Sequence, residues 1–475
     1  MTASPIRRRA LALALLLPTL AAAAPPPAGA ETRRVAPEAM AQIQLSFAPV
    51  VKAAAPAVVN IYAQRVVTRR PSPFAGNPFF QRFFGQAMPQ GRRVENALGS
   101  GVIVRSDGLV VTNHHVVGDA DQIRAVLSDR REFDAEVVLS DPESDLVVLR
   151  LKGAHDLPAL ALRDPESEGV EVGDLVLAIG NPFGVGQTVT SGIVSALARS
   201  RAAPGGGAGY YLQTDAAINP GNSGGALVDM QGRLLGINTA ILSRSGGSIG
   251  IGFAVPAALV RQVVAQAEAG RTTLARPWAG LTGQPVDGAL AEALGMESPE
   301  GLVISKLHPL SPFAAAGLAR GDVILAIDGR PVEAQAELEF RLAALGLGKA
   351  AQVDFLSGGK PGRASLTLVP APETPARDPQ RIGGDTPMAG LTVANINPAL
   401  GHELGLPLGT EGVAVIDAAP PSTRAGFRKG DVIRAINGRE VDSAAELARI
   451  ARRGPEAFDI RIERDGRVGA LRFRR

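Results

Sequence analysis

Residues able to do chemistry cluster in the first half of this chain. Thr112-Asn113-His114-His115-Val116-Val117 follows the apolar run Leu109-Val110-Val111. Asp145 opens the run Leu146-Val147-Val148-Leu149, and Ser223 sits within Asn219-Pro220-Gly221-Asn222-Ser223-Gly224-Gly225. A serine hydroxyl is a weak nucleophile at neutral pH unless an imidazole takes its proton. The imidazole in turn needs a buried carboxylate to fix its tautomer and stabilise its cation. Histidine, aspartate and serine in that order over a β-rich region are the parts for attack on an acyl carbon. The glycines around Ser223 let the backbone turn sharply, so the amides of Gly221 and Ser223 can converge on a developing oxyanion.

A rival reading must be met first. Gly221-Asn222-Ser223-Gly224-Gly225 also satisfies G-x-S-x-G, the strand-to-helix elbow of α/β-hydrolases, whose partners follow as Asp and then His. Here an Asn-Pro loop precedes the serine, and Ala226 to Leu235 follows with the pattern of a hairpin. The later histidines, His308 and His402, fall in a repeated region. The elbow reading fails.

The elements that must position these residues are strands. From Gly99 to Gly252, short apolar runs recur between Gly, Asn and Asp turns: 101–104, 109–111, 136–139, 146–149, 175–179 and 234–237. Many short strands without interleaved helical periods indicate an all-β barrel pair or sandwich. Pro256 to Ala269 carries Leu259, Val260, Val263, Val264 and Ala267 at helical spacing and closes the unit with a helix. Beyond it, A-G-x-x-x-G-D-V-I-x-A-I-[DN]-G-R occurs twice, from Ala316 and from Ala425, each copy followed by V-x-x-x-x-E-L. Two copies about 110 residues apart mean two domains of one type, because solenoid periods run about 20–50 residues. Pro370 to Arg381, with four prolines, is expected to link them.

Composition bounds the rest. At 475 residues, 45% hydrophobic and 20% charged, the chain is long enough for about three folded domains and is not disordered. Its net charge is 49 − 46 = +3, which calls for no nucleic acid partner. Zero cysteines exclude disulfides, thiol nucleophiles and thiolate metal sites. There is no P-loop, dinucleotide fingerprint or H-E-x-x-H, so no cofactor is expected. Arg7-Arg8-Arg9, the apolar run Ala10 to Ala24 and Ala28-Gly29-Ala30 have the layout of a signal peptide over residues 1–30, cleaved after Ala30. A long segment at 65–96 holds Phe74, Phe79, Phe80, Phe83 and Phe84, five of the fifteen phenylalanines, which suggests a docking surface.

Over residues 40–475 the chain resembles the HtrA (Do-like, DegP/DegQ-type) serine proteases. The markers are T-N-x-H-V-V at 112–117, D-L-V-V-L at 145–149, G-N-P-F-G at 180–184, T-V-T-S-G-I-V-S-A-L at 188–197, Q-T-D-A-A-I-N-P-G-N-S-G-G-A-L at 213–227 and G-I-N-T-A-I-L at 236–242. The resemblance implies a mainly β protein: a trypsin-like double β-barrel protease domain at 40–270, then two α+β PDZ domains. These are expected at 276–370 and 388–475, with a linker at 371–387. It implies that His115 is the general base, Asp145 its orienting carboxylate and Ser223 the nucleophile. Gly221 and Ser223 would form the oxyanion hole, with Asn222 between them. His114, where relatives often carry Asn, is expected to be a bystander, since adjacent residues of a strand face opposite ways.

The same resemblance places the S1 pocket wall at Ser248-Ile249-Gly250-Ile251-Gly252-Phe253-Ala254, with Ile218 and Asn222 also binding substrate. These positions offer no acid for a basic side chain, so cleavage after Val, Ala or Ile is expected. Trp278-Ala279-Gly280-Leu281 and Met388-Ala389-Gly390-Leu391 look like PDZ carboxylate-binding loops, which capture a peptide C-terminus as an added strand. Arg276 could assist the first. Arg199 is the counterpart of a family residue that relays PDZ occupancy to the oxyanion hole. The expected partners are unfolded polypeptides and peptide C-termini, in a homo-trimer or an oligomer of trimers. Any membrane association would be peripheral, and the compartment the periplasm. The expected role is degradation of misfolded envelope proteins. The alternative is a holding chaperone or PDZ scaffold whose proteolysis is incidental.

Overall fold

The computed structural model describes residues 46–67, 93–164, 169–181, 186–197, 210–219, 221–241, 248–453 and 457–474. The signal segment, the five clustered phenylalanines and Arg199 lie outside these residues.

Helix α1 (Ala48–Ala54) leads into two closed barrels. The first holds β1 (Val58–Val67), β2 (Arg93–Arg105), β3 (Leu109–Thr112), β4 (Gln122–Val126), β5 (Glu132–Asp141) and β6 (Leu146–Leu151). Its order is β1-β2-β3-β6-β5-β4, and β1 closes on β4. The second holds β7 (Leu175–Gly180), β8 (Thr188–Ala196), β9 (Leu212–Thr214), β10 (Ala226–Val228), β11 (Leu234–Ile241) and β12 (Gly252–Pro256), and β7 closes on β10. Closure of each barrel leaves fewer unpaired strand edges than an open sheet of the same strands. Where one face meets solvent the strand alternates: in β4, Ile123 and Ala125 are buried while Gln122 and Arg124 are exposed. Strand β3 lies between β2 and β6 and is buried along its whole length. Each run expected to be a strand from its apolar residues falls inside β2, β3, β5, β6, β7 or β11.

The segment His114–Val117 is a short helix, α2, not an extension of β3. The expected helix after Pro256 is α3 (Ala257–Glu268), which buries Leu259, Val260, Val263 and Ala267 against the barrels.

Two open sheets follow, one per repeat. The first contains β13 (Leu281–Pro285), β14 (Leu302–Leu307), β15 (Val323–Ile327), β16 (Arg330–Pro331), β17 (Ala350–Ser357) and β18 (Lys360–Thr367), with α4 (Gly288–Leu294), α5 (Pro312–Ala315) and α6 (Gln335–Leu345). The second contains β19 (Gln380–Arg381), β20 (Leu391–Asn395), β21 (Val413–Ala418), β22 (Val432–Ile436), β23 (Arg439–Glu440), β24 (Ala457–Arg464) and β25 (Arg467–Arg474), with α7 (Pro398–Glu403) and α8 (Ala444–Arg453). The repeated G-D-V-I motif is turn and core. Asp322 and Asp431 are buried and accept the backbone amides of Ala319 and Arg428 at 2.8 and 2.9 Å. The valine and isoleucine that follow fill each sheet's core. The Asp328-Gly329 and Asn437-Gly438 pairs have positive φ throughout, as a two-residue hairpin turn of matching twist requires.

Candidate active site

Asp145 stands just before β6 with φ of +56°, a left-handed conformation that aspartate tolerates better than most residues. Its carbonyl is held by the amide of His114 at 3.1 Å and by Nδ2 of Asn113 at 2.9 Å. That anchorage turns its carboxylate onto the next residue of α2. The His115 amide donates to Oδ1 at 2.9 Å, and His115 Nδ1 donates to Oδ2 at 2.7 Å. An acceptor on Nδ1 fixes the proton there and leaves Nε2 as the basic nitrogen. His114 turns away within the same helix, and its Nδ1 meets the Ser140 hydroxyl at 3.0 Å. The expected divergence of the two histidines is observed, but helical rotation produces it rather than strand alternation.

A third residue joins the pair. The register of β11 against β12 shifts between Asn238 and Ala240, a bulge that re-aims Thr239. The Thr239 hydroxyl donates to Asp145 Oδ2 at 2.5 Å, and the Thr239 carbonyl accepts from the Ser223 hydroxyl at 3.1 Å. Thr239 therefore ties the serine of the second barrel to the His–Asp pair of the first. Burial alone would push the Asp145 carboxyl up. The His115 ring, Thr239 and the His115 amide outweigh it and hold the carboxyl below the usual carboxylate range. Among the described residues no hydrogen bond joins Ser223 to His115, so the hydroxyl must leave the Thr239 carbonyl before Nε2 can take its proton.

The nucleophile loop is stapled by Ser100, which motif reasoning missed. Its amide donates to the Ser223 carbonyl at 2.8 Å, and its hydroxyl donates to the Gly221 carbonyl at 2.5 Å while accepting from the Asn181 amide at 2.9 Å. Gly224 makes this approach feasible. It has φ of +81°, and a Cβ there would fall 2.0 Å from the Ser100 carbonyl oxygen. Gly221 has φ of +94°. No protein acceptor among the described residues takes the amides of Gly221 or Ser223. Asn222 is buried, and among the described residues its side-chain amide finds no partner at either end.

The residues expected to line S1 divide between surface and core. Ile218 is buried and lies against Gly252, where a Cβ would come within 2.7 Å of its Cδ1. Ile249 and Gly250 are exposed, and Ile251 is half-buried. Phe253 is fully buried and meets Tyr211 edge-on at 6.2 Å. Ser248 is tied back to Asn219 of the nucleophile loop at 3.1 Å.

Of the PDZ residues, Gly280 has φ of +63° and Ala279 and Leu281 are buried beside it. Arg276 is placed elsewhere. Its guanidinium grips Asp141 at the end of β5 through two bonds of 2.9 and 2.5 Å, with Glu143 at 3.3 Å. Its expected help to a peptide carboxylate is replaced by a contact with the protease domain. Among the described residues there is no cluster that could hold a metal ion and no helix long and apolar enough to cross a membrane.

Two closed barrels with a histidine, aspartate and serine at their junction, followed by two peptide-binding-type sheets, define a trypsin-like serine endopeptidase with PDZ domains. The trypsin-like peptidase domain family matches residues 99–237, and PDZ domain families match 247–368 and 412–464. The probable periplasmic serine endoprotease DegP-like of Ectopseudomonas mendocina (strain ymp) is 37% identical over 458 residues, covering 92% of this chain and 95% of its own. The periplasmic serine endoprotease DegP of Salmonella typhimurium (strain LT2) is 37% identical over 482 residues, covering 96% of each. Among solved structures, the HtrA-type protease AlgW with decapeptide matches 69% of this chain and all of its own at 42% identity, with a TM-score of 0.50. The chain belongs to the family of DegP-like periplasmic serine endoproteases.

Proposed function

We propose that this endopeptidase is exported to the periplasm by residues 1–30 and degrades unfolded polypeptides there. The observation that carries the mechanism is the bonded series His115–Asp145–Thr239–Ser223 across the barrel junction. In this reading Ser223 attacks the scissile carbonyl and His115 Nε2 takes its proton. Asp145 holds the ring and stabilises the imidazolium, and the amides of Gly221 and Ser223 receive the oxyanion. His115 then protonates the leaving amine, and a water activated by the same nitrogen releases the acyl group.

Ile218, Asn222, Ile249, Gly250, Ile251 and Gly252 shape S1 for small or branched aliphatic residues, backed by Phe253. The first PDZ loop, Ala279-Gly280-Leu281, captures peptide C-termini, and Arg199 relays that occupancy to the nucleophile loop. The chain acts as a trimer or an assembly of trimers. The Thr239-bound hydroxyl of Ser223 supports a resting enzyme that substrate must switch on.

Digestion of denatured casein tests this against a holding chaperone. Ser223→Ala should lower peptide hydrolysis by ~10⁴-fold or more with folding retained, and mass spectrometry of the wild-type products should find Val, Ala or Ile at P1. Casein cleavage by the variant above a few per cent of wild type, or chiefly Lys and Arg at P1, would refute the corresponding assignment.

A further inference from the structure

The two PDZ sheets share one order but differ at one edge. In the first, β13 is the edge strand. Among the described residues, a side chain caps its outward groups: Gln335, at the start of α6, accepts from the Gly283 amide at 2.8 Å and donates to the Leu281 carbonyl at 3.4 Å. In the second, the equivalent strand β20 has an additional antiparallel neighbour, β19, with Gln380 opposite Val393 and Arg381 opposite Thr392. This stretch was expected to be plain linker. Instead it lies in the slot between β20 and α8, packed against both.

Its bonds are those a captured peptide end would make. The Ile382 amide donates to the Leu391 carbonyl at 2.8 Å, and the Ile382 carbonyl accepts from the Gly390 amide at 2.9 Å. Gly390 is the glycine of Met388-Ala389-Gly390-Leu391, with φ of +90°. The Ile382 side chain is 2% exposed and belongs to one core with Met388, Leu391, Val393 and, from α8, Ala444, Leu447 and Ala451. Upstream the strand continues as a strap. The Asn395 amide donates to the Arg377 carbonyl at 2.7 Å, and Nδ2 of Asn397 donates to the Pro375 carbonyl at 2.8 Å. Arg377 is pinned between Glu373 and Glu403.

We propose that the peptide groove of the second PDZ domain is filled in cis by Gln380–Ile382, with Ile382 seated where the apolar C-terminal residue of a ligand would sit. The first PDZ domain alone then takes peptide ends in the resting chain. Five residues, Gly383 to Pro387, separate Ile382 from the loop that binds it. So short a tether gives an effective concentration of about mM, against which a free peptide must compete. The proposal rests on reading the two Φ-G-Φ loops as carboxylate-binding.

The test uses the full chain carrying Ser223→Ala and a photo-crosslinking peptide that copies residues 377–382 and ends in a free carboxylate. Labelling should fall on β13 and α6 alone, and Ile382→Asp should add labelling on β20 and α8 with at least tenfold higher affinity there. Equal labelling of β20 with and without that substitution overturns the proposal. A second measurement does not depend on how the variant folds. In this cysteine-free chain, Arg381→Cys with Thr392→Cys should oxidise spontaneously to a disulfide, and the Ile382 amide should exchange as slowly as the amides of β21. Failure of either overturns the occupied groove. An occupied groove with no labelling of either domain, even in Ile382→Asp, refutes the loop reading and with it the claim that Ile382 mimics a ligand.

Discussion

At the scale of single residues, the site depends on two side chains, Ser100 and Thr239, to which the motifs assign no role. Thr239 supplies one of the bonds that keep the Asp145 carboxyl below its usual range. A carboxyl depressed in the folded state adds stability that is complete above its unfolded value and is lost as pH falls through its folded value. Thr239→Val removes a donor and raises the folded value, so the variant should melt below wild type at neutral pH. The gap should narrow on acidification through the carboxylate range, and kcat should fall about tenfold, as loss of a bond to a charged group implies. A melting gap that stays constant down to pH 2 would mean that Thr239 acts by packing alone. Ser100 is a positioning residue of the same kind. Ser100→Ala leaves the Gly221 carbonyl and the Asn181 amide without their shared partner. It should lower kcat for a peptide substrate by about tenfold with KM nearly unchanged, and Ser100→Thr should restore part of it. Loss confined to KM would count against an effect on the oxyanion loop. His115, Asp145 and Ser223 could be found because their chemistry requires them in known surroundings. Ser100 and Thr239 are ordinary in type, and only a contact over 121 residues or a bulge in β11 gives them their place.

Elements were legible wherever periodicity and turn chemistry agreed, as in β3, β6 and α3. They were misjudged where local sequence was silent. Four residues of α2 are too few to show a helical period, and β19 is two residues in a proline-rich stretch whose strand character comes entirely from β20. The segment joining the protease domain to the first PDZ domain is also bound rather than loose. The Thr272 carbonyl accepts from the Ser140 amide at 3.0 Å, and Arg276 grips Asp141. The Asp141 carboxylate also receives the amide of Ser144 at 3.1 Å, one residue before Asp145. Arg276→Met would leave a buried carboxylate without its cation, a loss of about 3–5 kcal/mol where such pairs are broken on one side. Thermal melting should detect that loss, and Asp141→Asn in the same chain should recover most of it. The turn carrying Asp145 would be less well held, so kcat should fall too. An unchanged melting temperature in Arg276→Met would show that the pair is replaced by solvent at no cost.

At the scale of the whole molecule, what one chain leaves uncovered bears on how it assembles. Phe47 is 39% exposed and Tyr62 37% exposed, apolar surface that an assembly could cover. The sequence adds Phe79-Phe80-Gln81-Arg82-Phe83-Phe84 between β1 and β2. With no cysteine in the chain, disulfides cannot link subunits, so the proposed assembly would be held by non-covalent contacts. The trimer proposed from the family resemblance should show peptidase activity that rises cooperatively with substrate as copies commit together. Phe80→Ser with Phe83→Ser should reduce any larger particle toward trimers, because two aromatic anchors are replaced by groups that prefer water. Neither residue belongs to the triad, so each remaining trimer should still cleave a short peptide. Sedimentation velocity decides both halves: a monomeric wild type removes the trimer, and an unchanged mass in the double variant removes the role of the phenylalanines in joining trimers.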